Sequence, residues 1–226
     1  MVEPAEADTR TRILDATERL LTDHGFEATT LRMITKAAKA NLAAVNYHFG
    51  SKEALIEEVF RRRLSWLNES SLKRLDKLEA AAGDGPVKPS QIVEAFFGAA
   101  LRAAGDAAGG GRRFMRLLGR AYMQPTEFVR RFLADEYAEV VRRYRAALFR
   151  ALPDTPREEL VWRLHFMLGA MSYAVSGSDS LNLLGEGMLD DTEPEVLHAR
   201  LMSFLLGGLR APLPSYCATL SRESTQ

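Results

Sequence analysis

Thr29-Thr30-Leu31-Arg32-Met33-Ile34-Thr35-Lys36-Ala37-Ala38-Lys39-Ala40-Asn41-Leu42-Ala43-Ala44-Val45-Asn46-Tyr47-His48-Phe49-Gly50-Ser51-Lys52 is the stretch whose reading decides the fold. Thr30 can N-cap a short helix with Leu31, Ile34, Ala37 and Ala38 facing inward. Asn41 can cap a second, from Leu42 to about Phe49, before Gly50-Ser51 breaks the chain. Two short helices joined by a tight turn are what a reader of duplex DNA needs. One helix braces on the backbone and the next enters the major groove.

Charge follows the same division. Residues 28–52 hold four basic side chains (Arg32, Lys36, Lys39, Lys52) and no acid, a local net of +4. Residues 1–27 hold seven acids against three arginines. Lys+Arg and Asp+Glu are equal at 30 each over the 226 residues, so the formal net charge is zero. Basic charge is therefore concentrated where a phosphate backbone would lie.

Outward from this stretch the periodicity stays helical. Ile13, Leu14, Thr17, Leu20 and Leu21 share one face of a helix from about Thr9 to His24, stopped by Gly25. A long helix is expected from Lys52 to about Ala81, then a loop over Gly83–Ser90. Further helices follow at Gln91–Ala104, Phe114–Met123, Pro125–Ala151 (proline near its first position), Glu158–Val175 and Pro194–Arg210. Gly105–Gly111 and a Gly/Ser/Asp-rich stretch after Val175 are loops. No strand pattern competes, so the fold class is all-α. The domains expected are 1–51 for DNA binding, 52–210 for effector binding and dimerisation, and 211–226 as a mobile tail.

The order of residues from Thr29 to Leu55, with Arg12-Ile13-Leu14-Asp15-Ala16 and Leu21 to Phe26 before it, resembles the DNA-binding domain of the TetR family over about 45 residues. The resemblance implies that Leu42 to His48 is the recognition helix of a transcriptional regulator. Asn46 is then placed to form paired hydrogen bonds to adenine, while Ala43 and Ala44 allow close approach to thymine methyls. Thr30, Arg32, Asn41, Leu42, Tyr47, His48 and Lys52 complete the DNA-binding set, mainly through phosphates. Phe49 is expected to plug the domain core. Two residues depart from the family pattern: Lys39 stands where the turn usually carries glycine, and Asn46 replaces a common aromatic.

Phe114-Met115-Arg116-Leu117-Leu118-Gly119, the Phe132 to Tyr144 segment and Trp162 to Ala170 are similar to fatty-acid-responsive TetR regulators of the PsrA type. Asn41 to Lys52 shares that similarity. It implies a repressor released from DNA by a long-chain fatty acid or acyl-CoA, held in an elongated apolar cavity. The candidate lining residues are Phe96, Phe114, Met115, Leu118, Tyr122, Phe132, Trp162, Phe166, Met167 and Met171, with Arg116, Arg120 or His165 at the head group. Their alternative is ordinary core. For the homodimer interface the candidates are Leu164, Leu168, Gly169, Leu201, Phe204, Leu205 and Gly208. A dimer is also demanded by the DNA mode, because one short recognition helix reads too few base pairs.

Other classes find less support. A xenobiotic or another hydrophobic metabolite is the alternative effector. A helical enzyme is weaker, for no catalytic constellation, metal-ligand set or nucleotide loop can be read from the chain. No cofactor is implied. Cys217 is the single cysteine, which excludes an internal disulfide and fits a reducing compartment. Met1 to Asp8 carries three acids and no apolar run, unlike a secretory signal, and no stretch suits a bilayer. The expectation is a cytoplasmic protein with no membrane contact.

Overall fold

In the computed structural model, residues 4–105, 110–123, 125–175 and 194–214 are described, and none of them forms a strand. The helices are α1 (Pro4–His24), α2 (Leu31–Ala38), α3 (Leu42–Phe49), α4 (Lys52–Ala82) and α5 (Pro89–Gly105). They are followed by α6 (Gly111–Met123), α7 (Glu127–Ala151), α8 (Arg157–Val175) and α9 (Pro194–Leu209).

Local chemistry sets the ends of the short helices. The Thr30 hydroxyl accepts from the Met33 amide at 3.3 Å, Asn41 Oδ1 from Ala44 at 2.7 Å, and Ser51 Oγ from Ala54 at 3.0 Å. Each satisfies an amide that lacks a partner within its own helix. At the other end of α2, Lys39 adopts φ +51° and the Ala40 amide donates to Thr35 O at 3.0 Å. That closes the helix in the left-handed conformation glycine usually supplies. Thr29, not singled out in the sequence, is fully buried. Its hydroxyl donates to Gly25 O (2.7 Å) and lies 3.2 Å from Leu20 O, locking the passage from α1 to α2.

Several helix ends differ from expectation. α1 begins at Pro4, earlier than Thr9, and Pro89 opens α5 instead of closing the preceding loop. A proline in the first turn loses only an amide that would be unpaired anyway. α7 starts at Glu127, with Thr126 extended in the capping position, so Pro125 lies outside it. Residues 176–193 and most of the tail expected to be mobile, 215–226, lie outside the described residues.

Buried apolar side chains form one core from Ile13 to Leu209. Ile13, Leu14, Leu21, Ile34 and Val45 hold α1, α2 and α3 together, and Leu55, Val59 and Phe60 continue that core along α4. Phe60 is fully buried, with ring centroids 6.1 Å from Phe26, 6.0 Å from Phe114 and 6.3 Å from Phe132. One side chain of α4 thus joins the exit of α1 to α6 and α7. α6 packs on α1, α5 and α8, and α9 packs on α5 and α8. The buried Arg163 of α8 donates to Leu209 O at 2.6 Å and pairs with Glu159 at 2.8 Å. It fixes the end of α9 by satisfying a carbonyl that the helix itself cannot.

Candidate nucleic-acid interface and ligand cavity

α3 buries Val45 and turns Leu42, Ala43, Asn46 and Tyr47 outward; Leu42 is 52% and Tyr47 76% exposed. Those four recur at helical spacing and form a continuous outer face. Asn41, whose side chain caps the helix, is exposed at its start. Ala44, His48 and Phe49 are half-buried, and the Tyr47 and His48 rings meet edge to face at 5.1 Å. Phe49 packs against the core under the guanidinium of Arg10, 5.5 Å from its ring centroid. On α2 and the turn, Thr30, Arg32, Lys36 and Lys39 are exposed beside this face.

Lys52, expected at a phosphate, has a second partner within the chain. It is half-buried, and its ammonium donates to Phe26 O at 3.0 Å, tying the first residue of α4 to the exit of α1.

Behind these helices, α5, α6, α7 and α8 enclose a cavity of about 690 Å³. α7 and α8 touch each other little, and the cavity fills the space between them. Its walls include Phe96 and Phe97 of α5, Tyr122 of α6, Leu133, Tyr137, Val141 and Leu148 of α7, and Leu164 and Leu168 of α8. Tyr122 and Tyr137 are hydrogen-bonded to each other, with rings 6.2 Å apart. Burial pushes the Tyr122 phenol up to about 12 and holds Tyr137 well above its ordinary value, so both hydroxyls are neutral at physiological pH, Tyr137 donating and Tyr122 accepting. Tyr144 is raised by the same cause, and its hydroxyl donates to Ser71 O at 2.7 Å.

The residues expected around an effector separate into three groups. Phe96 and Tyr122 line the cavity, while Leu118 and Met171 border a small recess that shares Phe96, Tyr122, Tyr137 and Leu168 with it. Phe114, Met115, Phe132 and Met167 are buried outside the cavity lining, the first and third against Phe60. Trp162 and Phe166 are 49% and 65% exposed and stack at 5.7 Å on the outer face of α8. Of the three head-group candidates only His165 lines the cavity. Arg116 points to solvent, and Arg120 lies beside Gly25.

The residues expected between subunits divide too. Leu164 and Leu168 line the cavity, and Leu201 and Leu205 are buried within the subunit. Gly169, Phe204 and Gly208 are exposed, on the same two helices as Trp162, Phe166 and Tyr173. Sequence reasoning missed the cavity wall on α7. Its only signal was an apolar and aromatic stripe at Leu133, Tyr137, Val141, Tyr144 and Leu148, set in a highly charged helix.

Among the described residues no cluster of His, Cys, Asp or Glu could hold a metal, and no helix is long and apolar enough to cross a membrane. Family comparison matches residues 13–59 to "Bacterial regulatory proteins, tetR family" and residues 94–208 to "Tetracyclin repressor-like, C-terminal domain". The chain belongs to the TetR family. That family is one of regulators, not enzymes.

Among curated relatives, the transcriptional repressor KstR2 of Mycolicibacterium smegmatis is 38% identical over 61 residues, 27% of this chain and 30% of that protein. The regulator BetI of Burkholderia mallei is 32% identical over 77 residues, 34% of this chain and 37% of that protein. The chain thus spans about a third of the length of the curated relatives it matches. Of solved structures, the fatty acid degradation regulator FadR from Bacillus halodurans covers 94% of this chain and all of its own, with TM-score 0.60 at 12% identity. A TetR-like regulator from Rhodococcus sp. RHA1 covers 90% of this chain and 97% of its own, with TM-score 0.57 at 19% identity. At such identities the likeness is one of fold.

Proposed function

We propose that this TetR-family chain is a ligand-responsive transcriptional regulator, a repressor that binds a near-palindromic operator as a homodimer. One observation carries the DNA reading. The outer face of α3, formed by Leu42, Ala43, Asn46 and Tyr47, stands beside Arg32, Lys36 and Lys39 in a segment without an acid. Asn46 has the donor and acceptor pair that adenine complements in the major groove, and the cations suit phosphates on either side.

The exposed apolar face of α8 and α9 supports the dimer. Phe204 is 68% exposed, and Gly169, Gly207 and Gly208 have open space where a Cβ would stand, so a second helix pair can approach closely. Two copies meeting there would bury one self-complementary patch. The cavity supports a hydrophobic effector, because its walls are mostly apolar and its inner polar groups are uncharged phenols. A long-chain fatty acid or acyl-CoA is the effector we favour, its binding weakening operator affinity by favouring one arrangement of α6 and α7 over another.

A gel shift on DNA upstream of the gene, with and without palmitate or palmitoyl-CoA, tests this reading. Specific binding that acyl ligands release is the expected result. Equal affinity with and without them across chain lengths would exclude the acyl effector, and absence of any sequence-specific shift would exclude the regulator.

A further inference from the structure

Among the described residues the cavity is lined by three arginines and one histidine, Arg130, Arg142, Arg145 and His165, and by no carboxylate. In a chain with equal numbers of acidic and basic residues, that imbalance belongs to the site. Two of the arginines have local partners. Arg130 pairs with Glu127 and Arg142 with Glu139, each one helical turn away and largely in solvent. Exposed pairs of this kind contribute little and are readily exchanged for a better anion. Arg145 has neither an ion pair nor a hydrogen bond among the described residues, although it lies within a charged helix.

Position adds a second constraint. Arg130, Ala134, Ala138, Val141, Arg142 and Arg145 of α7 and Val161 and His165 of α8 line the cavity yet are exposed, so they form the rim of the slot between the two helices. Tyr122 and Tyr137 lie further in. Along α7, Arg145 is about 12 Å from Tyr137 and about 22 Å from Arg130, taking 1.5 Å of rise per residue. Between these points α7 presents Leu133, Ala134, Ala138 and Val141, which offer a charged group nothing. An anion drawn inside would lose its hydration and find only neutral hydroxyls.

Building on the acyl reading above, we propose that Arg145, with Arg142 and His165, is the head-group site of this cavity. Its ligand is an amphiphile whose carboxylate or phosphate stays at the rim between α7 and α8. The apolar chain runs inward past the Tyr122–Tyr137 pair. Guanidinium geometry suits both anions, because each accepts two parallel N–H bonds.

Isothermal titration of the full chain with dodecyl and hexadecyl carboxylates, the matching CoA thioesters and the matching alcohols tests the assignment. Arg145→Gln should weaken anionic ligands about ten-fold, a difference of about 1.4 kcal/mol, and leave the alcohols unchanged. Arg145→Lys should restore part of the loss. A loss confined to the carboxylates identifies a carboxylate head, and one confined to the thioesters identifies the CoA phosphates. Either supports the site. Equal losses for alcohols and anions, or no loss, would overturn the head-group site and leave the acyl reading standing. Binding of none of these ligands to the unaltered protein would overturn both.

Discussion

Arg62 of α4 donates to Glu18 of α1 at 2.7 Å, and that carboxylate keeps only 4% of its surface. The second arm of the same guanidinium reaches Asp15 at 2.7 Å, and Arg63 stands 3.7 Å from Glu18. Burial opposes the charge on Arg62, but hydrogen bonds to Asp15 and Glu18 outweigh it, and its pKa is raised. The first helix is therefore clamped to α4, the helix that packs on α5 and α7. Arg62→Ala leaves the buried Glu18 side chain with Arg63 alone. Because Arg62 is itself a quarter exposed, the expected loss is about 2 kcal/mol, below the cost of breaking a fully buried pair. Urea unfolding measures it, and adding Glu18→Gln should recover part of the loss.

Lys39 sets up a second test. Its φ of +51° costs a non-glycine residue about 1 kcal/mol, while glycine brings extra entropy to the unfolded chain. Lys39→Gly should therefore stabilise the protein by about 0.5 kcal/mol net in urea unfolding. The same substitution removes a cation beside α3, so operator binding should become less steeply dependent on salt, by about one unit of slope.

Asn41 and Asn46 should separate folding from reading. Asn41 spends its side chain on the Ala44 amide, so Asn41→Ala is expected to cost about 1 kcal/mol of stability. Asn46 is exposed on the outer face, so Asn46→Ala should leave the melting temperature in place. It should relax preference at one base pair of each half-site by about 1–3 kcal/mol. Gel shifts on single-substitution operators, beside thermal melts, compare the two; unchanged discrimination by Asn46→Ala would refute direct readout by this side chain.

Phe166 and Phe204 report on association. Both are more than 60% exposed in the single chain, so Phe166→Glu or Phe204→Glu should fold normally. In a dimer built on α8 and α9 each would place a carboxylate in an apolar contact. Sedimentation velocity should show monomers for these variants and dimers for the parent, with operator affinity falling in parallel.

The buried phenols set an alkaline limit. A phenol whose pKa rises on folding holds its proton more tightly in the folded state. Its contribution is complete below the ordinary value of 10.0 and is lost as pH rises from there toward about 12 for Tyr122. Tyr137 and Tyr144 shift in the same direction. Melting temperature should therefore fall beyond pH 10, on account of these residues, and the Tyr122→Phe/Tyr137→Phe variant should fall less steeply. An identical slope in that variant would show that other groups govern the alkaline transition.

Sequence alone determined the short helices around Asn41 because their instructions are local. Thr30, Asn41 and Ser51 each cap an amide three residues away, and the acid-free run from 28 to 52 needs no partner element to be seen. The same holds for the all-α class, which follows from periodicity within each segment. Tertiary structure decided which face of each later helix meets a cavity, the core or solvent. Trp162, Phe166, Leu164 and Leu168 are all apolar or aromatic on one helix, yet the first two face out and the others line the cavity. Hydrophobicity is non-directional, so it cannot tell a wall from an outer face until α7 and α8 are set apart. Lys52 and Arg145 show the same for charge. One cation found a backbone carbonyl 26 residues away and the other a cavity rim without a partner among the described residues, and only packing assigned those places.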